Sequence, residues 1–399
     1  MNLKMIIKKI IGDNNIHNIH QAMGYIKNPE NKKQIIAQIH IKKKGYEVFC
    51  GYYDKNMVKN GKLLYLVAKE NEDKANINIF DMRLKMEQNV GVTRSWNWQQ
   101  GCRLMWLRQD DKNVFSYNSY DDKKCIYVSK IVNLDTGVRK TYPWPVYDIS
   151  NDMKYALTLN FSRLGYMRPG YGYRSGVDKF ANEENGIWEC DYRSLNKRLI
   201  VSEVEIFEEF SKRKIKMQPE NCYINHISIS PLGDRFIFFF IEVVEGKHHA
   251  NLLLYNRRLG KLKILENQLS VSHYCWIDNE HVLITAYNKS WECGYYVYDE
   301  MSRKKLESNI LKKDGHPTYI GDNKIITDTY PASNGMQELN LVDINSLCGK
   351  CIAKVYHTGK RMEEKRCDLH PKVDMENNII FIDTNIGKYR EIYGVEIER

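Results

Sequence analysis

The sequence predicts an all-β fold, a seven-bladed β-propeller closed by an N-terminal strand, and three observations support this. Seven runs of strand-forming residues recur at about 40–55 residues, with one gap of about 80, which is the spacing of propeller blades. Turns rich in Gly, Asp and Asn separate the runs, as in β-hairpins. Four of the turns have a histidine shortly before them. The cores of the runs are Lys62–Leu66, Asn113–Tyr117, Tyr155–Leu159, Arg235–Phe240, His281–Ala286, Lys324–Asp328 and Asn378–Asp383.

Blade six shows the repeating unit. Pro317–Ile320 is predicted as its inner strand, and a turn leads into Lys324–Asp328 as the second strand. Gln337–Val342 and Ile352–Tyr356 follow as the third and outer strands. The same order of strands and turns at the other runs gives seven blades, with six or eight as alternatives.

The two ends of the chain are expected to meet in one blade. The last blade runs out after its third strand, Glu391–Ile397, so the N-terminal run Lys33–His40 is predicted to supply the outer strand. Such closure removes an exposed sheet edge. We therefore expect residues 1–399 to form a single propeller domain. The longer gap predicts an insertion at 163–217 between blades three and four, with a helix over Ser202–Met217 that has Val204, Phe207 and Phe210 on one face.

Composition and charge limit the class of partner. Aromatic residues make up 12% of the chain, with 27 tyrosines, which suits sheets and sugar-binding surfaces. A net charge of +10 favours an anionic partner such as an acidic glycan, although it also simply aids solubility. Nucleic acid is disfavoured because no basic stripe with interleaved aromatics is visible. A protein partner stays open.

The N-terminus lacks the features of a secretory signal, and no apolar run is long enough to span a membrane. We therefore expect a cytoplasmic protein without a membrane span. Its ten cysteines are then expected to be reduced thiols.

One rim of the propeller is expected to collect the unusual polar residues. In an antiparallel hairpin, the start of the first strand and the end of the second lie at the same end. Three or four imidazoles there suit a transition metal, or one of them suits a general acid or base. The alternative is that each histidine pins the backbone of a neighbouring blade. The histidines at first-strand starts are His226, His273, His316 and His370.

Other residues near this rim suit sugar binding. Arg163 and Arg168, with Tyr171, offer a bidentate clamp for a carboxylate or sulfate beside an aromatic face, although the tyrosines of this Gly/Pro-rich segment also suit loop packing. The Trp-rich segment at residues 96–101 is expected to be a sugar platform or part of the core. The predicted substrate-binding residues are Trp98, Gln99, Gln100, Asn160, Arg163, Tyr173 and Asp328.

Six phrases of the sequence are distinctive, namely Trp96–Gly101, Leu159–Tyr173, Asn225–Ile227 with Ser230–Pro231, Ser272–Trp276, Gly315–Pro317 with Thr327–Pro331, and Arg366–Pro371. Together they resemble a family of bacterial propellers related to the TolB-like fold and to oligogalacturonate and ulvan lyases. This resemblance implies β-elimination on an acidic polysaccharide, with a divalent metal (Mn, Zn or Ca) held by His273, His316 and His370. It also implies His226 as acid or base, with Tyr171 and Arg168 beside it in catalysis.

Two functional classes stay open at this point. The first is a metal-assisted lyase acting on uronate-containing oligosaccharides. The second is a non-catalytic propeller that binds a glycan or a protein in a surface polysaccharide pathway. The region around Trp98 and Asn118 contains no counterpart of the ulvan-lyase histidine pair.

Overall fold

A computed structural model describes residues 37–108, 112–173, 184–358 and 363–397. Seven antiparallel sheets are arranged as the blades of a β-propeller, which confirms the predicted fold class and blade number. Each sheet has four strands, and the first sheet has one further short strand. In every blade, one of the seven predicted runs is the second strand. These second strands are β4 (Lys62–Ala68), β8 (Val114–Asp121), β12 (Tyr155–Thr158), β16 (Arg235–Val244), β20 (Val282–Tyr287), β24 (Lys324–Asp328) and β28 (Ile379–Thr384).

The inner strands line the central channel. The inner strand of blade one is broken into two pieces, and the other blades have one inner strand each. The inner strands are β2 (Glu47–Phe49) and β3 (Val58–Lys59), then β7 (Met105–Trp106), β11 (Asp148–Ile149), β15 (Cys222–Ile229), β19 (Ser270–Trp276), β23 (Thr318–Gly321) and β27 (Lys372–Asp374).

The third and outer strands complete each blade. The third strands are β5 (Ala75–Asp81), β9 (Ile126–Asn133), β13 (Gly186–Asp191), β17 (Lys247–Asn256), β21 (Cys293–Tyr298), β25 (Met336–Asp343) and β29 (Glu391–Glu396). The outer strands are β6 (Met86–Thr93), β10 (Arg139–Tyr142), β14 (Lys197–Ser202), β18 (Lys261–Glu266), β22 (Arg303–Leu306), β26 (Gly349–Tyr356) and, for blade seven, β1 (Ala37–Ile41).

The N-terminal strand closes the ring as predicted. β1 pairs antiparallel with β29, with Ile41 opposite Ile392 and His40 opposite Tyr393. The first residues of the predicted closing run, 33–36, lie outside the described residues. Because β29 is thereby paired on both sides, blade seven leaves no third-strand edge exposed.

The segment 163–217 does not lie wholly between blades. β13 and β14 fall inside it and are the two outer strands of blade three, so this part of the predicted insertion is regular sheet. Residues 174–183 of the segment lie outside the described residues. A short helix, α1 (Phe161–Met167), packs at the start of the segment, on the mouth side of blade three.

The predicted helix forms over a shorter range, α2 (Glu203–Lys212). Ser202 and Glu205 make a capping box, which fixes the start of the helix. Its buried face contains Ile206 and Phe210, whereas Val204 is 62% exposed, so the predicted apolar face was partly wrong. Within the ranges that the structure describes, no helix has both the length and the apolar content needed to cross a membrane.

In blade one, a segment of the inner strand lies in the channel. β2 pairs with the end of β4 and β3 pairs with its beginning, and the residues between them leave the sheet. We call this segment, Cys50–Asn56, the channel plug. Its side chains reach blades two, three and five, because Lys55 Nζ donates to Asp148 at 2.7 Å and Tyr53 Oη donates to the carbonyl of Tyr274 at 2.6 Å. The plug therefore links blade one to blades three and five across the ring.

Candidate metal centre in the propeller channel

The four predicted histidines meet inside the channel. The ring centroids of His273 and His316 lie 4.0 Å apart, and those of His316 and His370 lie 4.4 Å apart. His226 is on the other side of Tyr52, whose ring centroid is 5.2 Å from that of His226 and 5.0 Å from that of His370. All four imidazoles are buried. The hairpin register therefore brings together residues from blades four to seven, as the sequence predicted.

Two buried carboxylates orient two of the imidazoles. The Nδ1 of His273 lies 3.0 Å from Asp314 Oδ1, and the Nδ1 of His316 lies 2.9 Å from Asp328 Oδ1. A carboxylate only accepts, so each Nδ1 carries the proton and each Nε2 keeps its lone pair. A carboxylate that accepts the Nδ1–H of an imidazole is the usual second partner of a histidine that ligates a metal.

Several polar atoms of this cluster are buried without a protein partner. The Nε2 atoms of His316 and His370, the Nδ1 of His226 and the hydroxyl of Tyr52 have no hydrogen-bond partner among the described residues. Buried polar atoms nearly always have a hydrogen-bond partner in proteins. Several unpartnered atoms in one cluster therefore indicate that a ligand or an ion binds there. One ligand atom each from His316, Asp368 and His370 lies within 4.8 Å of the others, a spacing that suits a single metal ion.

The position of His273 modifies the predicted ligand set. Its Nε2 lies 3.3 Å from the hydroxyl of Tyr330, which can donate to it, whereas the carboxylate of Asp368 joins His316 and His370 in the candidate metal group. His273 still lies directly beside His316. The structure thus favours Asp368, which sequence reasoning missed, over His273 as the third ligand.

Two of the histidines, His226 and His370, combine an unusual backbone conformation with a lowered pKa. His226 and His370 have φ of 55° and 45°, in the left-handed region where non-glycine residues are uncommon and often functional. Asp328 anchors one of these turns, because it accepts the backbone N–H of His370 at 3.1 Å. Burial, followed by the nearby imidazoles His273 and His316 respectively, holds the pKa of His226 and of His370 well below the usual histidine value. Both rings are therefore neutral at neutral pH, as metal ligation or proton abstraction requires.

The channel plug forms the floor of the site. Tyr52 and Tyr53 lie under the imidazoles, with the Tyr53 ring centroid 5.1 Å from that of His316. Burial raises the pKa of the Tyr52 hydroxyl well above its ordinary value, so it stays protonated. Lys372 of blade seven holds the plug from the side, since its Nζ donates to the carbonyls of Gly51 and Tyr52.

Two arginines lie at the mouth above the histidines. The guanidinium of Arg168 lies 5.4 Å from the ring centroid of Tyr171, and that ring is at 74° to the His226 ring, with 5.8 Å between centroids. On the other side, Arg366 lies 4.7 Å from the ring centroid of Tyr330 and donates to both oxygens of Asp368 at 2.8 Å. The predicted group of His226, Tyr171 and Arg168 is thus together at one side of the mouth.

The predicted Trp-Gln platform is buried. Trp98 is packed between Phe49, at 5.6 Å between ring centroids, and the guanidinium of Arg390, at 5.1 Å. Gln99 donates to the carbonyl of Arg366 at 2.8 Å and Gln100 donates to the hydroxyl of Tyr147 at 2.7 Å. These positions favour packing and positioning roles over a sugar platform, because no face of Trp98 is open to a ligand.

The other predicted substrate-binding residues also make internal contacts. Asn160 caps α1 by accepting the backbone N–H of Arg163, and the Arg163 guanidinium donates to the carbonyl of Cys222 at 2.8 Å. Tyr173 is buried, and its ring stacks on Phe161 with 4.6 Å between centroids. Asp328 is buried behind His316. The structure therefore places these four residues in support of the site, away from its open surface.

Sequence reasoning missed several residues of this site. Asp314 and Asp368 each stand two residues before a channel histidine, and this shared Asp-x-His spacing is a signal that the sequence did contain. Tyr52, Tyr330 and Arg366 gave no comparable signal, because their places depend on the plug and on the closed ring.

Comparison with known proteins extends the fold assignment. No protein-family model matches the sequence, and no curated protein matches it. Among solved structures, an oligogalacturonate lyase in complex with manganese superposes with a TM-score of 0.64 at 15% identity, over 89% of this chain and 91% of that one. The chain has the propeller fold of that lyase.

Two further solved structures share this fold. An oligogalacturonate lyase from Vibrio parahaemolyticus gives a TM-score of 0.64 at 12% identity, over 92% of this chain and 96% of that one. The β-propeller domain of the Trilobed protease from Pyrococcus furiosus gives 0.52 at 15% identity, over 88% and 96% of the two chains. A propeller of this fold thus occurs both in lyases and in a protease, so the site must decide the function.

Proposed function

We propose that the protein binds an acidic oligosaccharide at the channel mouth and cleaves uronate-containing chains by metal-assisted β-elimination. The observation that carries this proposal is the buried group of His316, Asp368 and His370, in which both imidazole Nε2 atoms lack a hydrogen-bond partner among the described residues. The likeness to a lyase whose solved structure contains manganese points the same way.

The residues present fit a divalent metal. His316 and His370 would supply imidazole nitrogen and Asp368 would supply carboxylate oxygen, a donor set that suits Mn or Zn better than Ca, which prefers oxygen alone. The carboxylate of Asp328 fixes the tautomer of His316, so that its Nε2 lone pair faces the group. When bound, the ion would supply positive charge beside the substrate carboxylate and so ease loss of the neighbouring proton.

The chain's own residues would divide the remaining work. The neutral imidazole of His226, with its unpartnered Nδ1, takes the proton from the carbon next to the carboxyl group. The electron pair of that C–H bond forms the new carbon–carbon double bond as the bond to the glycosidic oxygen breaks. Arg168 pairs with a substrate carboxylate, with Tyr171 beside it. Tyr330, whose pKa burial raises well above its ordinary value, keeps its proton and can donate it to the leaving oxygen.

The test combines elemental analysis with a product assay. Purified protein is expected to contain stoichiometric Mn or Zn after reconstitution, and to release a conjugated unsaturated uronate from oligogalacturonates, detected by its ultraviolet absorbance. His316→Ala is expected to abolish both the metal content and the product. His281→Ala is the matched control, because the His281 side chain is 43% exposed and its Nδ1 bonds to Asp278 of its own turn. Absence of product from a panel of acidic oligosaccharides, with metal bound, would reject the lyase.

A non-catalytic glycan-binding propeller is the second candidate, and one observation favours it. Asp368 already accepts two hydrogen bonds from Arg366, both at 2.8 Å, so its negative charge is compensated without a metal. Arg366 also holds the pKa of Asp368 below its usual range, although burial alone would raise it. This candidate expects oligosaccharide binding that neither needs metal nor yields product.

A further inference from the structure

A groove lies on the mouth side of the propeller, between blades four and five. It encloses about 270 Å³ and is bounded by the turn between β16 and β17, the start of β19 and the turn that follows β20. We call it the rim groove. The residues that matter most for its chemistry are Glu245, Lys247, His248, Tyr287, Lys289 and Trp291.

The outer wall of the rim groove is an extended hairpin. β16 and β17 have ten residues each, more than any other strand in the described ranges. Around His226 the register runs from Asn225 opposite Phe239 to Ser228 opposite Ile237, and the hairpin continues past this level to Val244. The end of this hairpin therefore rises above the histidines and forms a wall beside the mouth.

The opposite wall presents an exposed tryptophan. The side chain of Trp291 is 60% exposed, and its backbone φ of 60° lies in the left-handed region. Asn288 fixes this turn, because its side-chain oxygen accepts the backbone N–H of Ser290 at 2.8 Å and of Glu292 at 3.0 Å. The Tyr287 ring lies 5.7 Å from that of Trp291. A rigid turn that holds an indole in solvent indicates a binding surface, since such a ring offers a flat apolar face with a polar edge.

The inner end of the rim groove abuts the candidate metal centre. The hydroxyl of Tyr287 donates to Asp314 at 3.1 Å, and the same carboxylate holds the Nδ1 of His273. On the other wall, the Nε2 of His248 lies 3.1 Å from a guanidinium nitrogen of Arg168. A chain bound at the mouth can therefore continue into the groove without leaving the protein surface.

The charge of the rim groove suits an anionic ligand. Lys247 and Lys289 are exposed in its lining, against the single carboxylate of Glu245. Burial, together with Arg168, lowers the pKa of His248 to about 4, so this ring is neutral at neutral pH and acts as a hydrogen-bond partner. Carboxylates of the ligand would pair with the two lysines, and its sugar rings would face the indole.

We propose that the rim groove is a distal subsite, which holds sugar units of an acidic oligosaccharide beyond the unit at the histidines. Trp291 stacks on one sugar ring, and Lys247 and Lys289 pair with uronate carboxylates. The proposal rests on the proposed function, because it assumes that the reacting unit lies at the channel mouth. With such a subsite, the protein distinguishes acidic oligosaccharides by their number of sugar units.

The test measures binding of digalacturonate and tetragalacturonate by calorimetry. The wild-type protein is expected to bind the tetramer about tenfold more tightly, equivalent to about 1.4 kcal/mol, and Trp291→Ala is expected to remove that difference while leaving dimer affinity unchanged. Trp291→Phe is expected to restore much of it. Leu232→Ala is the matched control, because Leu232 is 72% exposed in the turn between β15 and β16, at the opposite end of the blade.

The outcomes separate this proposal from the lyase. Equal affinity for the two oligomers, or an equal loss for both in Trp291→Ala, would overturn the subsite and leave the lyase untouched. A tetramer preference that depends on Trp291 without any unsaturated product would support the subsite and reject the lyase. Failure of the wild-type protein to bind either oligomer would overturn the subsite for acidic glycans, and tight binding of neutral cellotetraose would overturn the role of the two lysines.

Discussion

Blades four to seven and blades one to three line the same channel, but the side chains that they place in it differ. The former contribute four imidazoles, three of which keep an unpartnered ring nitrogen. The latter fill their side with the channel plug and with paired groups, such as Arg103, whose guanidinium lies 2.9 Å from the Asp54 carboxylate. The two regions therefore differ in the groups that they place in the channel, which are imidazoles with an unpartnered ring nitrogen in one region and a buried ion pair in the other. We refer to these regions as the histidine half and the packed half.

The largest expected effect is on the packed half. Asp54→Ala would leave the cations of Arg103 and Lys55 buried beside each other without their shared carboxylate. We expect a loss of about 3–5 kcal/mol in the free energy of unfolding, measured by equilibrium urea denaturation. Asp278→Ala, which removes an exposed carboxylate, should cost less than about 1 kcal/mol. Equal losses for the two variants would show that the buried pair contributes no more than a surface one.

In the histidine half, we expect a substitution to change the affinity for metal more than the free energy of unfolding. Asp328→Asn keeps the size of the side chain but weakens acceptance from the Nδ1 of His316 and from the backbone N–H of His370. We expect the affinity for Mn or Zn to fall about 10–100-fold, measured by titration calorimetry. Asp343→Asn, at an exposed turn of the same blade, is the control. Unchanged affinity in Asp328→Asn would remove the outer-partner role.

Acidic pH should lower the free energy of unfolding, because it protonates Asp54 in the packed half. Burial alone would raise the pKa of this carboxyl, but Arg103 and Lys55 outweigh burial and hold the pKa well below its usual range. Because the folded pKa is lower than the unfolded one, the stabilisation is complete above the unfolded pKa and is lost as pH falls. Below about pH 4 the free energy of unfolding should drop by about 1.4 kcal/mol per pH unit from this group.

The measurement is urea unfolding at a series of pH values in the wild type and in Asp54→Asn. The variant lacks this carboxyl, so its stability should fall less steeply in the acid window. Parallel slopes would show that Asp54 has an ordinary pKa in the folded protein.

The smallest effect is expected outside the channel. Ser202→Ala removes the hydroxyl that accepts the backbone N–H of Glu205 at the start of α2. We expect a loss of about 1 kcal/mol in unfolding free energy and no change in metal affinity. A change in metal affinity would mean that the outer helix is coupled to the histidine half, and the separation of the two regions would be less sharp.

The fold was predictable to a large extent from local patterns. Each predicted run is the second strand of a blade, since turn residues between apolar runs specify a hairpin wherever it occurs. The helix was less predictable at its ends. Its C-terminal limit is Lys212, five residues before the expected Met217, because Lys214 has a left-handed φ of 60° that ends the helix.

The site was predictable only in part. The histidines were found because they repeat in register, which is a local signal. Trp98 and Gln100 were predicted to face a sugar, with core packing as the alternative, and they are buried. Their own segment does not indicate that Phe49 and Tyr147 will cover them. The Asp-x-His spacing of Asp368 and His370 is a local signal, but the proximity of Asp368 to His316 exists only in the folded ring.

The sequence by itself determined the seven hairpins, the closing strand and the four histidines on one rim, because turn chemistry and strand alternation act over a few residues. Only the tertiary structure decided which groups meet across the channel. The break in the inner strand of blade one puts Tyr52 among imidazoles that lie 174 to 318 residues further along the chain. Contacts at such separations depend on ring closure and on competition for buried hydrogen-bond partners, and neither is encoded in a local pattern.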